Sequence, residues 1–376
     1  MKHPAWILAV LLACGCNGSS AANGGDGGAN DDLSPGHPQF DMALGPPPMT
    51  TAITAAQDQW TWVDFPDSSC DDGSATGIGV YNSSKSKNLL VFLNGGGACW
   101  DYLTCYTLNT AAHGPFQKPQ FDQFTAQSAA GTVFDRAEPM NPFKDWSYVF
   151  IPYCTGDVHS GNNVMTYVNG NMMKTYHHAG HANVLAYLKR LGPTFPSPDK
   201  LVVSGSSAGG YGSMLNYPYF RWYWPSVPML LLDDSGPPLE MGDLPASYLP
   251  SWIASWKLDE VLGQTCGDPC LMDFSQGIPS LANAWPNDRM ALLSSEQDKT
   301  ISGYFLLSGP GFMTALNTMA TDRIDPQPDF HYFFVTGNTH TMLGNVPSFT
   351  SGTTTLWTWL NQFVGGDAAW KSTRPQ

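Results

Sequence analysis

Six short apolar runs are spaced along the chain, and each has the length of a parallel strand that is buried on both faces. They are residues 88–93, 148–152, 201–204, 229–232, 290–293 and 332–335. Apolar positions at helical spacing mark residues 182–191, and we expect further helices directly after Ser207 and from about residue 353 to residue 364. Strands that alternate with helices predict an α/β protein with a mainly parallel sheet and helices on both faces.

The alternation of strands and helices is interrupted at residues 237–286. This stretch carries Trp252, Trp256 and Trp285 together with the neighbouring pair Cys266 and Cys270. We interpret it as a cap inserted into one catalytic domain that spans residues 49–376.

The first 16 residues have the pattern of an export signal. Lys2 gives a positive start, and the apolar run that follows is too short to span a bilayer as a stable helix. It ends in Leu11-Leu12-Ala13-Cys14, which resembles the lipobox of bacterial lipoproteins and makes Cys14 the candidate for lipidation. The alternative is an ordinary secretory signal that is cut nearby. Both interpretations predict a secreted or cell-envelope protein, and the lipobox predicts an outer-membrane lipoprotein that contacts the membrane through its lipid anchor.

Residues 17–48 are rich in Gly, Asn, Asp, Ser and Pro, a composition that cannot bury a core and is typical of a flexible tether. The chain as a whole has a formal net charge of −14 and only 13% charged residues. No basic run is present, so nucleic acid is not expected as a partner. The acidity also argues mildly against long-range attraction of a polyanionic substrate.

Six cysteines follow the export segment, which fits an oxidising compartment. We propose the pairs Cys70–Cys154, Cys99–Cys105 and Cys266–Cys270, although six cysteines allow fifteen pairings. A zinc site is the weaker alternative, because no CxxC pair or His/Cys cluster has the usual ligand spacing. We therefore expect neither a metal nor a cofactor.

The sharpest motif is Gly205-Ser206-Ser207-Ala208-Gly209, a G-x-S-x-G pattern that directly follows a predicted strand and opens a predicted helix. In that context the serine occupies a tight strand-to-helix turn, and the flanking glycines let neighbouring backbone approach closely. The alternative is a glycine-rich turn that only packs. We predict that Ser207 is the nucleophile of an α/β-hydrolase fold.

A serine hydroxyl needs a general base, because it is almost never ionised at neutral pH. In this fold the base comes last in chain order, and His340 follows the final predicted strand. His331 opens that strand and would point elsewhere. His177, His178 and His181 are interpreted as a cluster at a helix start, where a solvated or hydrogen-bonded role is favoured over a metal site.

The acid of a triad lies between the serine and the histidine and orients the imidazole. Asp298 follows the strand at residues 290–293 and is our first choice. Glu296 is the nearest alternative. Asp233 and Asp234, which follow the strand at residues 229–232, form a second alternative.

An oxyanion hole needs two backbone N–H donors. One is expected at Ala208, directly after the nucleophile. The other is expected in the loop Asn94-Gly95-Gly96-Gly97, which follows an early predicted strand. Three successive glycines are also compatible with a passive turn.

Several segments, taken together and in order, resemble the pectin acetylesterase/Notum family of carboxylesterases. The matching segments are Cys70-Asp71-Asp72-Gly73-Ser74, Leu93-Asn94-Gly95-Gly96-Gly97-Ala98-Cys99 with Cys105, Ile151-Pro152-Tyr153-Cys154 with Asp157, Ser160 and Gly161, and Gly205-Ser206-Ser207-Ala208-Gly209-Gly210. The resemblance covers roughly residues 70–340.

This resemblance implies an α/β-hydrolase fold and a metal-free triad of Ser207, Asp298 and His340. It also implies oxyanion donors at Gly96 and Ala208, with Gly97 less favoured. The chain departs from the family at two positions. Ala98 stands where the family usually has tryptophan, and Asn94 where it usually has glutamate, so the acyl side of the pocket is expected to differ.

We expect a serine esterase that works through an acyl-enzyme and removes O-acetyl or other short acyl groups from an extracellular carbohydrate such as an acetylated polysaccharide. A lipase or a polyester depolymerase is the alternative among enzymes, because aromatic rings in the cap suit apolar sites as well as sugars. A non-catalytic surface binding protein on a hydrolase fold is the alternative from another class.

Overall fold

The computed structural model of the protein describes residue 46 and residues 48–127 and 130–375. The proposed export signal with Cys14, and all of the proposed tether except Pro46 and Pro48, lie outside these residues. Their roles stay predictions.

An eight-stranded sheet forms the centre of the molecule, in the order β1-β2-β4-β3-β7-β8-β9-β10. The strands of the described chain are β1 (Trp60–Phe65), β2 (Thr76–Tyr81), β3 (Leu89–Leu93), β4 (Ser147–Ile151), β5 (Asn163–Asn169), β6 (Met172–His178), β7 (Leu201–Ser206), β8 (Met229–Asp234), β9 (Arg289–Ser295), β10 (Phe330–Val335), β11 (Thr350–Ser351) and β12 (Thr354–Thr355).

All strands from β4 to β10 in the sheet order are parallel to one another, whereas β1 and β2 pair antiparallel at one edge. The six parallel strands are the six apolar runs of the sequence, so the predicted fold class is confirmed. The hydrophobic pattern did not reveal β1 and β2.

Helices connect the strands and cover both faces of the sheet. They are α1 (Lys118–Gln127), α2 (Gly180–Thr194), α3 (Ala208–Tyr223), α4 (Tyr248–Trp256), α5 (Leu258–Thr265), α6 (Asp268–Met272), α7 (Gly277–Ala284), α8 (Lys299–Tyr304), α9 (Gly309–Met319) and α10 (Leu356–Gly365). Three of them, α2, α3 and α10, are the helices that the sequence predicts. Within the described ranges, no helix is both long enough and apolar enough to cross a membrane.

Two hydrophobic cores lie on opposite faces of the sheet, because successive side chains of a strand point to opposite sides. In β7, Leu201 and Val203 join the core under α2 and α3, and Val202 joins the core under α1 and α10. The stretch between β8 and β9, which the sequence suggested as a cap, contains α4 to α7. Its apolar side chains extend the first of these cores.

The interpretation of His177, His178 and His181 as one cluster at a helix start is wrong. His177 and His178 lie on β6, which pairs with β5 in a separate hairpin, and only His181 lies on α2. Neighbours on a strand point to opposite faces. His178 is accordingly buried and bonds the Tyr167 hydroxyl at 2.8 Å, whereas the His181 ring bonds the Asn216 side chain.

The six cysteines form Cys70–Cys154, Cys99–Cys105 and Cys266–Cys270, which are the three pairs proposed from the sequence. Cys70–Cys154 joins the segment before β2 to the loop after β4. Beside it, the Asp71 carboxylate accepts hydrogen bonds from the His113 ring at 2.5 Å and the Gly114 amide at 2.6 Å. Cross-links and a buried carboxylate thus hold the loops at the carboxyl end of the parallel strands.

Candidate active site

Ser207 occupies the turn between β7 and α3 and has φ +60° and ψ −121°, a conformation that non-glycine residues seldom adopt. The surrounding backbone leaves no room for side chains. A Cβ on Gly205 would lie 2.1 Å from the Gly209 carbonyl oxygen, and one on Gly209 would lie 1.9 Å from the Leu93 carbonyl oxygen. The two glycines of the motif therefore have a steric reason, and the turn raises the serine above the end of the sheet.

His340 and Asp298 form a hydrogen-bonded pair at the same end of the sheet. The His340 Nδ1 atom lies 2.7 Å from Asp298 Oδ2. Asp298 is fully buried, and its other oxygen accepts hydrogen bonds from the amides of Thr300 and Ile301 at the start of α8. Because a carboxylate accepts hydrogen bonds, Nδ1 carries the proton and Nε2 is left to accept one.

The other candidate acids have different partners. The Asp234 carboxylate accepts hydrogen bonds from the Ser206 hydroxyl at 2.7 Å and from the amides of Met342 and Leu343 at 2.9 Å. Asp233 bonds the Gly236 amide at 2.8 Å. Burial raises the pKa of both carboxyls and also that of Glu296. Of the four candidates, Asp298 is the one whose carboxylate bonds His340.

The glycine loop after β3 lies directly against the nucleophile turn. A Cβ on Gly95 would come within 3.0 Å of the Ser207 Cβ and 2.6 Å of the Ser206 carbonyl oxygen. Within the described chain, the amides of Gly96 and Ala208 donate to no protein acceptor. Ala208 is the first residue of α3, where an amide has no partner within the helix. The Gly97 amide likewise donates to no described acceptor, so the amides of Gly96, Gly97 and Ala208 are all available as donors.

Two tyrosines and a buried histidine hold the glycine loop in place. The Tyr153 hydroxyl donates to the Gly97 carbonyl oxygen at 2.8 Å, and the Tyr304 hydroxyl donates to the Thr110 carbonyl oxygen. His159 bonds the Asn94 carbonyl oxygen through Nε2 at 2.8 Å. Burial lowers the pKa of His159 to about 4, so the ring is neutral at neutral pH and Nε2–H is the donor.

Next to Ser207 lies an apolar cavity that is partly open to solvent. The tryptophans of its wall contact one another, since the rings of Trp252 and Trp256 are stacked with centroids 5.8 Å apart. Apart from Ser207, its walls are Gly97, Ala98, Trp100, Val158, Ala208, Tyr211, Leu215, Trp252, Trp256, Leu258, Leu262, Phe274, Ile301, Tyr304 and Phe305. Helices α4 and α5 thus supply part of an apolar wall beside the serine.

A second space beside Ser207 is an open cleft, called the polar cleft because asparagine and threonine side chains line part of it, although most of its exposed surface is apolar. Its walls include His340 and the glycine loop. The remaining walls are Asn94, Asn109, Thr110, Ala111, Ala112, Ser206, Thr300, Tyr304 and Thr341. Gly97, Ser207 and Tyr304 line both spaces, so the serine lies where the two meet.

The arrangement allows one kind of chemistry in particular. A hydroxyl on a tight turn, an imidazole with a free Nε2 and a buried carboxylate can move a proton from the hydroxyl to the ring. The amides near the hydroxyl that donate to no described acceptor can bind an oxyanion. In the described part of the chain, no group of three or more His, Cys, Asp or Glu side chains is placed to hold a metal ion.

Sequence reasoning missed the supporting residues of this site. Tyr153 lies in one of the segments that carry the family resemblance, so a signal for it was present. Asp234 was considered as a triad acid, but its carboxylate bonds Ser206, Met342 and Leu343 and not His340. Tyr304 and Trp100 carry no local pattern, because their importance depends on contacts with residues far away in the sequence.

Comparison with known proteins gives a family and a set of relatives. The profile of the pectinacetylesterase family matches residues 54–253, more than half of the chain. Palmitoleoyl-protein carboxylesterase notum1 of Xenopus laevis is 31% identical over 148 residues, which are 39% of this chain and 29% of that protein. The Homo sapiens palmitoleoyl-protein carboxylesterase NOTUM is 30% identical over 152 residues, 39% of this chain and 28% of that protein. The chain therefore matches less than a third of the length of these relatives.

A solved structure of the Wnt deacylase Notum from Drosophila shares the architecture. It superposes with a TM-score of 0.61, covers 85% of this chain and 97% of that chain, and is 17% identical. The parallel sheet, the strand-to-helix turn at Ser207 and this superposition define an α/β-hydrolase fold. The chain belongs to the pectinacetylesterase family, and the family resemblance inferred from the sequence is confirmed.

Proposed function

We propose that the protein is a serine carboxylesterase with Ser207 as nucleophile, His340 as general base and Asp298 as the acid that orients it. The observation that carries this proposal is the hydrogen-bonded His340–Asp298 pair in the cleft that Ser207 also lines. Membership of the pectinacetylesterase family and similarity to relatives named carboxylesterases support the same reaction class. The amides of Gly96 and Ala208 are the proposed oxyanion donors, with Gly97 as the less favoured alternative.

The proposed reaction has two halves. In the first, His340 Nε2 takes the Ser207 proton while Oγ bonds the ester carbonyl carbon, and the two amides bind the resulting oxyanion. The carbon–oxygen bond to the alcohol then breaks, and His340 returns the proton to the leaving oxygen. In the second half, His340 deprotonates a water molecule that attacks the acyl group. Ser207 leaves with the proton, and the carboxylic acid is released.

For the substrate, we propose O-acetyl or other short acyl groups on an extracellular carbohydrate. The polar cleft beside His340 supports a hydroxyl-rich alcohol, because amides and hydroxyls bind sugars by hydrogen bonds. The family match supports an acetyl ester.

A second candidate is an ester with a longer, apolar acyl chain, as in a lipid or a polyester. The apolar cavity supports it, because its walls include the aromatic rings of Trp252 and Trp256, which suit an apolar chain. The names of the relatives, palmitoleoyl-protein carboxylesterases, point in the same direction.

Hydrolysis of p-nitrophenyl esters of increasing acyl length by the wild type and by Ser207→Ala tests the proposal. We expect wild-type turnover and loss of it in Ser207→Ala. Ser204→Ala is the matched control, because the Ser204 hydroxyl is buried in β7 and bonds no described residue. A peak at acetyl supports the first substrate candidate, and a peak at long chains supports the second. Turnover that survives in Ser207→Ala contradicts the proposed nucleophile, and a folded wild type without turnover indicates the non-catalytic binding protein.

We also propose that the protein works outside the cytoplasm, with Cys14 as its lipid-modified residue. The three disulfides support an oxidising compartment. Fractionation of cells that express the full chain and its Cys14→Ser variant tests the anchor. Wild-type protein is expected in the membrane fraction, and the variant is expected in the soluble one. Equal distribution of the two contradicts lipidation at Cys14.

A further inference from the structure

The two spaces at Ser207 have different relations to the proposed base. His340 lines the polar cleft. It is not one of the described residues that line the apolar cavity. In the first half of the reaction the base must return its proton to the leaving oxygen. The leaving alcohol therefore has to lie on the His340 side of the ester, which assigns the polar cleft to the alcohol.

Several side chains of this cleft have polar groups left for a ligand. In the described chain, no hydrogen bond joins the side chains of Asn94, Asn109, Thr300 or Thr341 to another residue. Asn109 is exposed at the mouth, and Thr300 and Thr341 are half-buried. Amides and hydroxyls of this kind donate and accept hydrogen bonds, which is what the hydroxyl groups of a sugar require.

The cleft also lacks the groups that would recognise a charged alcohol. None of its described walls is Asp, Glu, Lys or Arg. A uronate unit carries a carboxylate at neutral pH and is recognised by arginine or lysine where a site is built for it. In a protein with a formal net charge of −14, the overall field disfavours a polyanion as well.

We propose that the polar cleft binds the leaving alcohol and selects an uncharged, hydroxyl-rich alcohol, such as a neutral sugar unit, over a uronate. This inference rests on the proposed function, because it uses His340 as the proton donor to the leaving group. It narrows the substrate class to esters of neutral saccharides.

Three acetyl esters that differ in the alcohol test this selectivity with the full chain at neutral pH. They are an acetylated neutral oligosaccharide, an acetylated oligogalacturonate and p-nitrophenyl acetate, whose acyl half is the same. We expect kcat/KM for the neutral saccharide to exceed that for the uronate at least about tenfold, the size of one well-discriminated contact. A ratio of one or below, or turnover of p-nitrophenyl acetate with neither saccharide ester hydrolysed, overturns the proposal.

A charged side chain introduced into the polar cleft provides a second test of the selectivity. Asn109 has φ +54°, which asparagine and aspartate tolerate, and its exposure leaves room for a lysine. We expect Asn109→Lys to lower the ratio of neutral to uronate turnover and Asn109→Asp to raise it, each by about threefold or more. Asn171→Lys, at the exposed turn between β5 and β6, controls for net charge and should leave the ratio unchanged. A ratio that neither Asn109 variant moves contradicts the assignment of the cleft.

The outcomes separate this inference from the proposed function. If p-nitrophenyl acetate is hydrolysed through Ser207 but uronate esters are preferred, the esterase proposal stands and the alcohol assignment fails. If no ester is hydrolysed by folded protein, the proposed function itself fails.

Discussion

Asp234 accepts a hydrogen bond from the Ser206 hydroxyl at 2.7 Å, and so its carboxylate is joined to the residue that precedes the proposed nucleophile. The same carboxylate accepts hydrogen bonds from the amides of Met342 and Leu343, just after His340, and the Asp234 carbonyl oxygen accepts one from the Ser207 amide at 2.7 Å. One buried residue of β8 therefore connects the nucleophile turn with the histidine loop.

We predict that Asp234→Asn lowers kcat about ten- to hundredfold with little change in KM, because a misplacement of about 1 Å between nucleophile and base has an effect of that size. Asparagine keeps only one acceptor oxygen, so whichever way its side-chain amide is turned, its NH2 group faces a hydrogen-bond donor: either the Met342 amide, or the Leu343 amide and the Ser206 hydroxyl. Steady-state kinetics and the rate of labelling of Ser207 by a phosphonate measure the loss.

Asp233→Asn is the matched control for this substitution. Asp233 bonds the Gly236 amide and no described residue of the histidine loop, and an asparagine oxygen can still accept from the Gly236 amide. We expect near wild-type kcat. Equal losses of kcat in both variants, or a loss in Asp234→Asn that follows only a loss of thermal stability, contradict a positioning role for Asp234.

A second prediction distinguishes the candidate acids. Asp298→Asn should lower kcat by about 10⁴-fold, because an asparagine at the acid position favours the wrong tautomer of the histidine. Glu296→Gln should leave kcat within a few-fold of wild type, since the bond to His340 Nδ1 comes from Asp298. Kinetics on p-nitrophenyl acetate measure both. A large loss in Glu296→Gln with a small one in Asp298→Asn assigns the acid to Glu296.

The position of Ala98 in the apolar cavity leads to a third prediction. Ala98 is a small residue in the wall of this cavity. We expect Ala98→Trp to fill part of the space and to lower kcat/KM for long-chain p-nitrophenyl esters about tenfold or more, while acetyl ester turnover is retained. Ala98→Ser adds one atom and controls for disturbance of the glycine loop. Unchanged chain-length preference in Ala98→Trp would show that the acyl chain lies elsewhere.

The Asp71–His113 pair gives a fourth prediction, on stability. The hydrogen bond to Asp71 raises the pKa of His113 above its usual value of 6.5. The pair therefore adds stability that is complete below pH 6.5 and is lost as the pH rises through the raised pKa. Wild type should exceed His113→Asn in Tm by about 2 °C more at pH 5.5 than at pH 9, which corresponds to roughly 1 kcal/mol.

His331→Asn provides a control of opposite sign for the stability prediction. Burial lowers the pKa of His331, so the folded protein favours its neutral ring. The Tm advantage of wild type over His331→Asn should therefore grow from pH 5.5 to pH 9. If the Tm difference for His113→Asn does not change with pH, the pair contributes no ionic stabilisation.

The buried strands of the fold could be predicted because an apolar run is visible in the sequence whichever strand it pairs with. β2 was missed for a physical reason, since Gly77 and Gly79 weaken its strand pattern. The folded chain needs both glycines: a Cβ on Gly77 would lie 2.1 Å from the Val63 carbonyl oxygen, and one on Gly79 would lie 2.1 Å from the Phe121 ring. The sequence shows the glycines but not the close approach that requires them.

The residues of the candidate site also differ in how far the sequence could predict them. Ser207 and His340 follow strands in a known order, so local patterns were sufficient to select them. Asp298 was the first choice from the sequence, and its contact with His340 distinguishes it from Glu296 and Asp234. Tyr304 lies 194 residues from Thr110, whose carbonyl oxygen its hydroxyl bonds, and no local pattern reports such a contact.

Mass spectrometry after reaction with a fluorophosphonate identifies the nucleophile. We expect one adduct per chain, on the peptide that contains Ser207, with loss of esterase activity in proportion to labelling. We also expect no labelling of Ser207→Ala and normal labelling of Ser204→Ala. An adduct on another residue that tracks the loss of activity, or full activity in a chain labelled at Ser207, would contradict Ser207 as the nucleophile.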